Sequence, residues 1–170
     1  PHVNPDGVAA GSRYNRAGVD LNRNFEHLWS PSEYRSGDHP FSEPEARAVR
    51  TLAAWHPPAS GLTLHAGARN VTWPWNCTTD DSPDEELLAE MADAYADRCP
   101  LDGFEALNGA AWYVTHGDMN DWAYGHRAAP DLTVEVSTDG APDAAATARI
   151  VEAHLDAIAA FVARPPQVVG

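Results

Sequence analysis

Apolar residues recur at helical spacing in three segments, and two of these segments open with the Ser-x-x-Glu pattern that commonly starts a helix. The first such pattern is Ser42 with Glu45, and the second is Ser82 with Glu85. A third helix is predicted over residues 142–163. The positions expected to face the core are Ala46, Val49, Leu52 and Ala53 in the first helix, Leu87, Leu88, Met91 and Tyr95 in the second, and Ile150, Val151, Leu155, Ile158 and Phe161 in the third.

Short apolar runs predict strands over residues 61–66, 110–115 and 132–137. Helices that alternate with short strands indicate an α/β architecture. Two of the runs carry a polar residue, since His65 lies near the end of the first and Glu135 lies inside the last. A carboxylate buried without a partner is costly, so Glu135 either faces water on an edge strand or has a chemical role. His65, taken alone, fits a histidine whose hydrogen bonds are satisfied in the core.

Composition and charge exclude several classes of partner. The chain has 170 residues, 44% of them hydrophobic, which is enough for one domain with a sizeable core. Its formal net charge is −14, and this acidity argues against nucleic acid or an anionic membrane as a partner. No apolar run approaches the roughly 20 residues that a membrane-spanning helix needs. Cys77 and Cys99 could form one disulfide, which the sequence leaves open.

The segment GVDLNRNF, residues 18–25, places Arg23 between two amide side chains, a grouping suited to a planar anion. It is one of eight ordered motifs. They are NPDG (4–7), RYNR (13–16), GVDLNRNF (18–25), PFSEPEARAV (40–49), LHAG (64–67), NGAAWY (108–113), GDMNDWAY (117–124) and TVEVS (133–137). In this order they resemble the zinc metallocarboxypeptidases of the carboxypeptidase A/B and E/N/D types. The segment from NGAAWY to GDMNDW is most similar to the E/N/D branch.

The resemblance implies a mixed central β-sheet flanked by helices, with one zinc ion in each complete catalytic domain. It covers the C-terminal half of that domain, so we expect residues 1–163 to be this portion and 164–170 to be a linker to a possible further domain. The N-terminal half is expected to lie outside these residues. The first seven residues are interpreted as the end of a strand running into a turn.

The resemblance also implies roles for residues that bind and hydrolyse a peptide. Arg23 and Asn22 match the positions that hold the substrate's C-terminal carboxylate. Arg13 matches the arginine that stabilises the oxyanion, and Arg16 is given a structural role. Glu135 matches the general base that takes a proton from the metal-bound water.

Four further positions match residues around the substrate and the metal. Tyr113 matches the tyrosine that covers the bound C-terminal residue, and Asn120 matches a residue of the pocket for its side chain. His65 matches the third zinc ligand. Asp20 matches the carboxylate that orients a zinc-binding histidine from behind, and we predict that Asp20 lacks this histidine in a structure of these residues alone.

The largest departure from the family is the HxxE zinc motif, because none of the eight histidines has Glu three residues later. Either the motif lies outside these 170 residues or the protein is a non-catalytic relative. We favour the first and expect this piece to be inactive by itself. The function predicted for the complete protein is zinc-dependent removal of C-terminal residues from peptides or proteins. The alternatives are an amidohydrolase acting on cell-wall peptides or acyl-amino acids, and a module that binds C-termini without cleaving them.

The preferred C-terminal residue stays open. The E/N/D branch favours Lys or Arg, but Asn76 stands where that branch has Asp, and Asn120 stands where it has Gln. Asp118, at a position where the family often has Gly, could restore a negative charge or could face solvent. Family members are mostly secreted or periplasmic, and the same location is expected here.

Overall fold

The computed structural model describes residues 2–164, and it confirms an α/β fold with a mixed sheet flanked by helices. Of the predicted linker at 164–170, residues 165–170 lie outside the described residues. The helices are α1 (Pro5–Ala10), α2 (Pro44–Trp55), α3 (Glu85–Ala96), α4 (Gly109–Trp112), α5 (Met119–Arg127) and α6 (Ala144–Ala163), with a 3₁₀ turn at Leu21–Arg23. The strands are β1 (Gly61–His65), β2 (Asn70–Trp73), β3 (Glu105–Asn108) and β4 (Asp131–Glu135).

The four strands lie in the order β1-β4-β2-β3. β4 runs parallel to β1 and antiparallel to β2, and β2 runs parallel to β3. Glu135 is paired with His65 of β1 on one side and with Asn70 of β2 on the other. Because β4 is an inner strand of this sheet, the edge-strand interpretation of Glu135 is wrong, and its side chain is 7% exposed.

The two faces of the sheet differ in chemistry because side chains alternate along each strand. One face carries Val71, Leu132 and Val134, which form the main core with side chains of α3 and α6. The other face carries the polar positions, among them Thr72, Thr133 and Glu135. A second apolar cluster of Phe25, Phe41, Ala46, Trp122 and Ala123 joins the loop before α2 to α2 and α5.

Three expectations from the sequence are wrong. Residues 110–115 are not a strand, because the Asn108 side chain accepts hydrogen bonds from the backbone N–H groups of Ala110 and Ala111 and starts α4. The first residues do not end in a turn, because the Asn4 side chain caps α1. The predicted inward faces are also partly wrong, because Leu52 of α2 and Val151 and Leu155 of α6 are exposed, whereas His154 and Ala157 of α6 face the core.

Both cysteines are buried free thiols, which answers the disulfide question left open by the sequence. Burial raises the pKa of Cys99. The Sγ atom of Cys99 lies 3.7 Å from Nδ1 of His154, and the Tyr95 hydroxyl contacts the same ring nitrogen. Within residues 2–164, no helix is both long and apolar enough to cross a membrane.

A buried carboxylate at the start of β4 gives the fold a predicted pH dependence. Burial raises the pKa of Asp131 to about 7, and the Thr63 hydroxyl donates to Oδ1 at 2.8 Å. The folded pKa therefore lies above the unfolded value of roughly 3.9, so wild-type stability falls as pH rises between these two values. We expect Asp131→Asn to raise the free energy of unfolding, relative to wild type, by an amount that grows from pH 4 to pH 7 and is constant above.

Urea unfolding at several pH values checks this prediction. The difference in the free energy of unfolding between the variant and wild type should grow by at most about 1.4 kcal/mol per pH unit. Asp93→Asn is the matched control, since Asp93 is exposed on α3. If the free-energy difference for Asp131→Asn does not change with pH, the raised pKa of Asp131 in the folded protein is contradicted.

Candidate active site

The site begins at the C-terminal ends of the parallel strands β1 and β4, where ligands commonly bind in α/β proteins. These strands end at His65 and Glu135, which are partners in the β1–β4 register. Both residues line a cavity on the polar face of the sheet. One carboxylate oxygen of Glu135, Oε2, is buried and has no hydrogen-bond partner among residues 2–164. An unpartnered buried oxygen of this kind indicates a place where a ligand completes the structure.

The electrostatics of these two residues suit metal-assisted acid–base chemistry. Burial and the neighbouring Arg13 lower the pKa of His65 to about 4, so its imidazole is neutral at neutral pH, which is the form that ligates metals. Burial raises the pKa of Glu135, and Arg13 opposes this shift. In the part of the chain that the structure describes, no group of three or more His, Cys, Asp or Glu side chains is arranged to hold a metal ion. As a neutral imidazole at the cavity, His65 has the chemistry to serve as one ligand of a metal ion.

The GVDLNRNF segment forms the 3₁₀ turn that places Asn22 and Arg23 in the same cavity. The turn forms because the Asp20 carboxylate accepts the backbone N–H of Asn22 at 3.1 Å. The amide oxygen of Asn22 accepts the backbone N–H of Met119 at 3.0 Å, which leaves its NH₂ group as the end available to a ligand. Arg23 is 9% exposed, so its guanidinium is largely desolvated and well placed to bind an anion strongly.

Arg13 reaches the cavity from the loop before this turn. Its Nε donates to Oδ2 of Asp20 at 2.7 Å, and its side chain is 46% exposed. This bond fixes one edge of the guanidinium and leaves the other N–H groups for a ligand. Both oxygens of Asp20 thus accept from Arg13 and Asn22, and no histidine is among its hydrogen-bond donors within residues 2–164.

Two residues beside Arg23 were not found from the sequence. Oε2 of Glu33 lies 3.8 Å from Nε of Arg23, and Oε1 of Glu33 lies 2.8 Å from Nδ1 of His116. Glu33 thus lies between Arg23 and His116. The sequence gives no signal for this contact, because Glu33 lies in a loop without periodicity and His116 is 83 residues away.

The cavity brings together most of the residues predicted to act in the site. Its lining includes Arg13, Asn22, Arg23, His65, Tyr113 and Glu135. Tyr113 follows α4 in an extended conformation and is 48% exposed at the cavity rim, beside Trp112. Asn120 is not among the lining residues, since it lies beneath the cavity and is 1% exposed. Its amide oxygen accepts from the side chain of Asn76 at 2.8 Å.

A second buried carboxylate lies in the cavity lining. Asp118 is 2% exposed, and its Oδ2 accepts from the side chain of Asn76 at 2.8 Å and from the Thr115 hydroxyl. Burial raises the pKa of Asp118, and Thr115, Arg23 and Asn76 oppose the shift. Of the two interpretations that the sequence left open, exposure of Asp118 to solvent is therefore wrong. The sequence did carry a signal for this residue, because Asp118 is a carboxylate at a position where the resembled family often has glycine.

Comparisons with known proteins agree with this geometry. A family model described as zinc carboxypeptidase matches residues 1–157. Carboxypeptidase SOL1 of Arabidopsis thaliana is 33% identical over 156 residues, covering 85% of this chain and 31% of the relative. The chain thus spans about a third of the length of this relative. Carboxypeptidase A from Helicoverpa armigera has the same fold, with a TM-score of 0.83 at 23% identity, covering 95% of this chain and 49% of that one. Murein-tripeptide amidase from Escherichia coli O157 is 28% identical with a TM-score of 0.67, covering 97% of this chain and 67% of that one.

Proposed function

Since this chain belongs to the zinc carboxypeptidase family, we propose that it forms the substrate-binding part of a metallocarboxypeptidase that removes C-terminal residues from peptides or proteins. The observation that carries the proposal is the single cavity that holds Arg23 and Asn22 beside Arg13, His65 and Glu135. These side chains come from four separate parts of the sequence. A structural role alone gives no reason for two arginines, a neutral imidazole and an unpartnered carboxylate to converge there.

Zinc is the cofactor of this proposal, with His65 as one ligand. When bound, zinc would lower the pKa of a water molecule and polarise the substrate carbonyl. Structural and catalytic zinc sites usually take three or four protein ligands, so the remaining ligands must come from other residues. The natural polypeptide that contains these residues is expected to supply them, and the 170-residue chain alone is expected to bind zinc weakly and to be inactive.

The chain's own residues then provide proton transfer and charge stabilisation. Glu135 is held rigidly at the end of an inner strand, and its unpartnered Oε2 can accept a proton from water and return it to the leaving amine. Arg13, fixed by Asp20, can donate hydrogen bonds to the oxyanion that develops on the peptide carbonyl. The buried setting of Glu135 strengthens its interactions relative to water.

Substrate recognition rests on the terminal carboxylate. Arg23 can bind it through two parallel hydrogen bonds, and the NH₂ group of Asn22 can add a third. Tyr113 at the rim would cover the bound residue. We retain Asn120 as a contributor to the side-chain pocket, acting through Asn76, to which it is bonded. Asp20 retains its proposed role of orienting a zinc-binding histidine.

The proposal is tested by hydrolysis of peptides ending in Lys, Phe and Glu, using the natural polypeptide with and without a chelator. The expected result is release of the last residue from at least one peptide, lost with chelator and restored by zinc. The 170-residue chain in parallel should bind these peptides without cleaving them. Absence of chelator-sensitive release from every peptide would overturn the enzyme proposal, and would leave a module that binds C-termini without cleaving them as the surviving reading.

A second candidate is an amidohydrolase that acts on cell-wall peptides or acyl-amino acids. The similarity to murein-tripeptide amidase, at 28% identity, favours it. Such an enzyme would keep the carboxylate clamp and change the neighbouring pocket. Release from a cell-wall peptide at a rate well above that from linear peptides ending in Lys, Phe or Glu would select this candidate. For both enzymes, a secreted or periplasmic location is part of the proposal.

A further inference from the structure

We propose that His116 keeps Arg23 available for the substrate's terminal carboxylate by holding Glu33, an acidic residue of the protein itself that would otherwise pair with Arg23. The inference rests on the proposed function, in which Arg23 binds that carboxylate, and adds a residue that controls this site. Neither His116 nor Glu33 lines the cavity. His116 acts through Glu33, so it is a positioning residue and not a catalytic one.

The guanidinium of Arg23 is held in place without a hydrogen bond from Glu33. Nη1 of Arg23 donates to the Asn22 carbonyl at 2.7 Å, which is its one hydrogen bond within residues 2–164, and the side chain is largely buried. Glu33 is the one carboxylate within 4 Å of this guanidinium in the same range, with Oε2 at 3.8 Å from Nε. Hydrogen bonds of this kind are about 2.7–3.2 Å long, so the two groups attract each other by charge alone.

His116 makes the bond that holds Glu33 at this distance. Nδ1 of His116 lies 2.8 Å from Oε1 of Glu33, and Nδ1 is the donor because a carboxylate only accepts. The backbone beside His116 is fixed relative to Arg23. The Gly117 carbonyl accepts the N–H of Phe25 at 2.9 Å, and a Cβ on Gly117 would lie 2.7 Å from the carbonyl oxygen of Arg23. His116 therefore restrains one oxygen of Glu33 from a rigid part of the fold.

Without this restraint, Glu33 would compete with the substrate for Arg23. A shift of roughly 1 Å would bring Oε2 of Glu33 within hydrogen-bond distance of Nε, and hydrogen bonds between arginine and a carboxylate are strong. Because Glu33 lies outside the cavity lining, the closer pair would draw the guanidinium away from the cavity and partly neutralise its charge. The substrate's carboxylate would then bind more weakly.

The test is calorimetric titration of the chain with an acetylated dipeptide and with its amide. We expect His116→Ala to weaken binding of the acid at least about tenfold, equivalent to about 1.4 kcal/mol, and to change binding of the amide by less than about threefold. His116→Phe, which keeps a ring and removes the donor, should behave in the same way. His116→Asn should retain most of the affinity, because its NH₂ group can donate to Glu33. His56→Ala is the matched control, since His56 is exposed at the end of α2.

A second substitution separates competition by Glu33 from simple damage to the fold. Glu33→Gln should bind the acid at least as tightly as wild type, because the competing charge is removed. The double variant His116→Ala/Glu33→Gln should regain the affinity of Glu33→Gln to within about threefold. A purely structural role of His116 gives no reason for this recovery.

The possible failures are distinguishable. If wild type binds the acid no more tightly than the amide, the proposed carboxylate site is overturned, and this inference with it. A wild-type preference for the acid that persists undiminished in His116→Ala or His116→Phe would overturn the inference alone. Weaker binding of the acid by Glu33→Gln, or by the double variant, would also overturn it, because Glu33 would then support Arg23 and not compete for it.

Discussion

Replacement of Arg23 by alanine is expected to weaken binding of peptides with a free C-terminal carboxylate by at least about thirtyfold. Removing one partner of a desolvated, hydrogen-bonded charge pair typically costs 2–5 kcal/mol, and Arg23 is 9% exposed in the cavity. The measurement is a calorimetric titration of the chain with an acetylated dipeptide. Affinity for the amidated dipeptide should change little, because the amide offers no anion to Arg23.

Two further variants make this prediction specific. Arg23→Lys should retain part of the affinity, because an ammonium keeps the charge and loses the two parallel hydrogen bonds. Arg149→Ala is the matched control, since Arg149 is exposed on α6. Unchanged affinity in a folded Arg23→Ala protein would show that the terminal carboxylate binds elsewhere.

Replacement of Glu135 by glutamine is expected to lower the hydrolysis rate of the natural polypeptide by about 10²–10⁴-fold, which is the usual contribution of a general acid–base residue. The amide keeps the size of the side chain and cannot accept the proton. Binding of the peptide carboxylate should persist, because Arg23 and Asn22 are unchanged. The measurement is release of the C-terminal residue under saturating substrate, with the dissociation constant determined separately.

The same variant carries a prediction on stability. Burial raises the pKa of Glu135, so ionisation opposes folding as pH rises above the unfolded pKa of roughly 4.3. Glu135→Gln should therefore be at least as stable as wild type at neutral pH, with the difference shrinking at acidic pH. Glu152→Gln, at an exposed position on α6, should change neither rate nor stability. A folded Glu135→Gln protein with wild-type turnover would remove Glu135 from the role of base.

The sequence predicted the main elements wherever the pattern was long or regular. Helices α2, α3 and α6 and the strands ending at His65 and Glu135 are close to their predicted bounds. Strand β3 has the sequence EALN, which lacks β-branched residues, and its backbone pairing with β2 decides its conformation. Tertiary pairing of this kind cannot be read from local preferences.

The inward face of α6 shows why a prediction from apolar character alone was wrong for some side chains. His154 is 2% exposed and takes the place expected of Leu155, because Tyr95 lies within hydrogen-bond distance of its Nδ1. Its Nε2 lies 3.3 Å from the Val136 carbonyl. His154 can be buried in the core because both of its ring nitrogens contact hydrogen-bonding groups.

For the site, most of the residues that the ordered motifs predicted line the cavity, and the register of β1 and β4 places His65 beside Glu135. The contacts made by Glu33 and Asp118 could not be predicted, because they depend on loops brought together over long sequence distances.

The measurement that tests the account most directly is release of the C-terminal residue by the natural polypeptide from two peptides that differ only in their last group, a free acid and an amide. The account predicts that the acid is hydrolysed in a zinc-dependent, chelator-sensitive reaction and that the amide is hydrolysed at least about thirtyfold more slowly, because Arg23 and Asn22 have no carboxylate to bind. Equal rates for the two peptides, or release that persists with chelator, would contradict it.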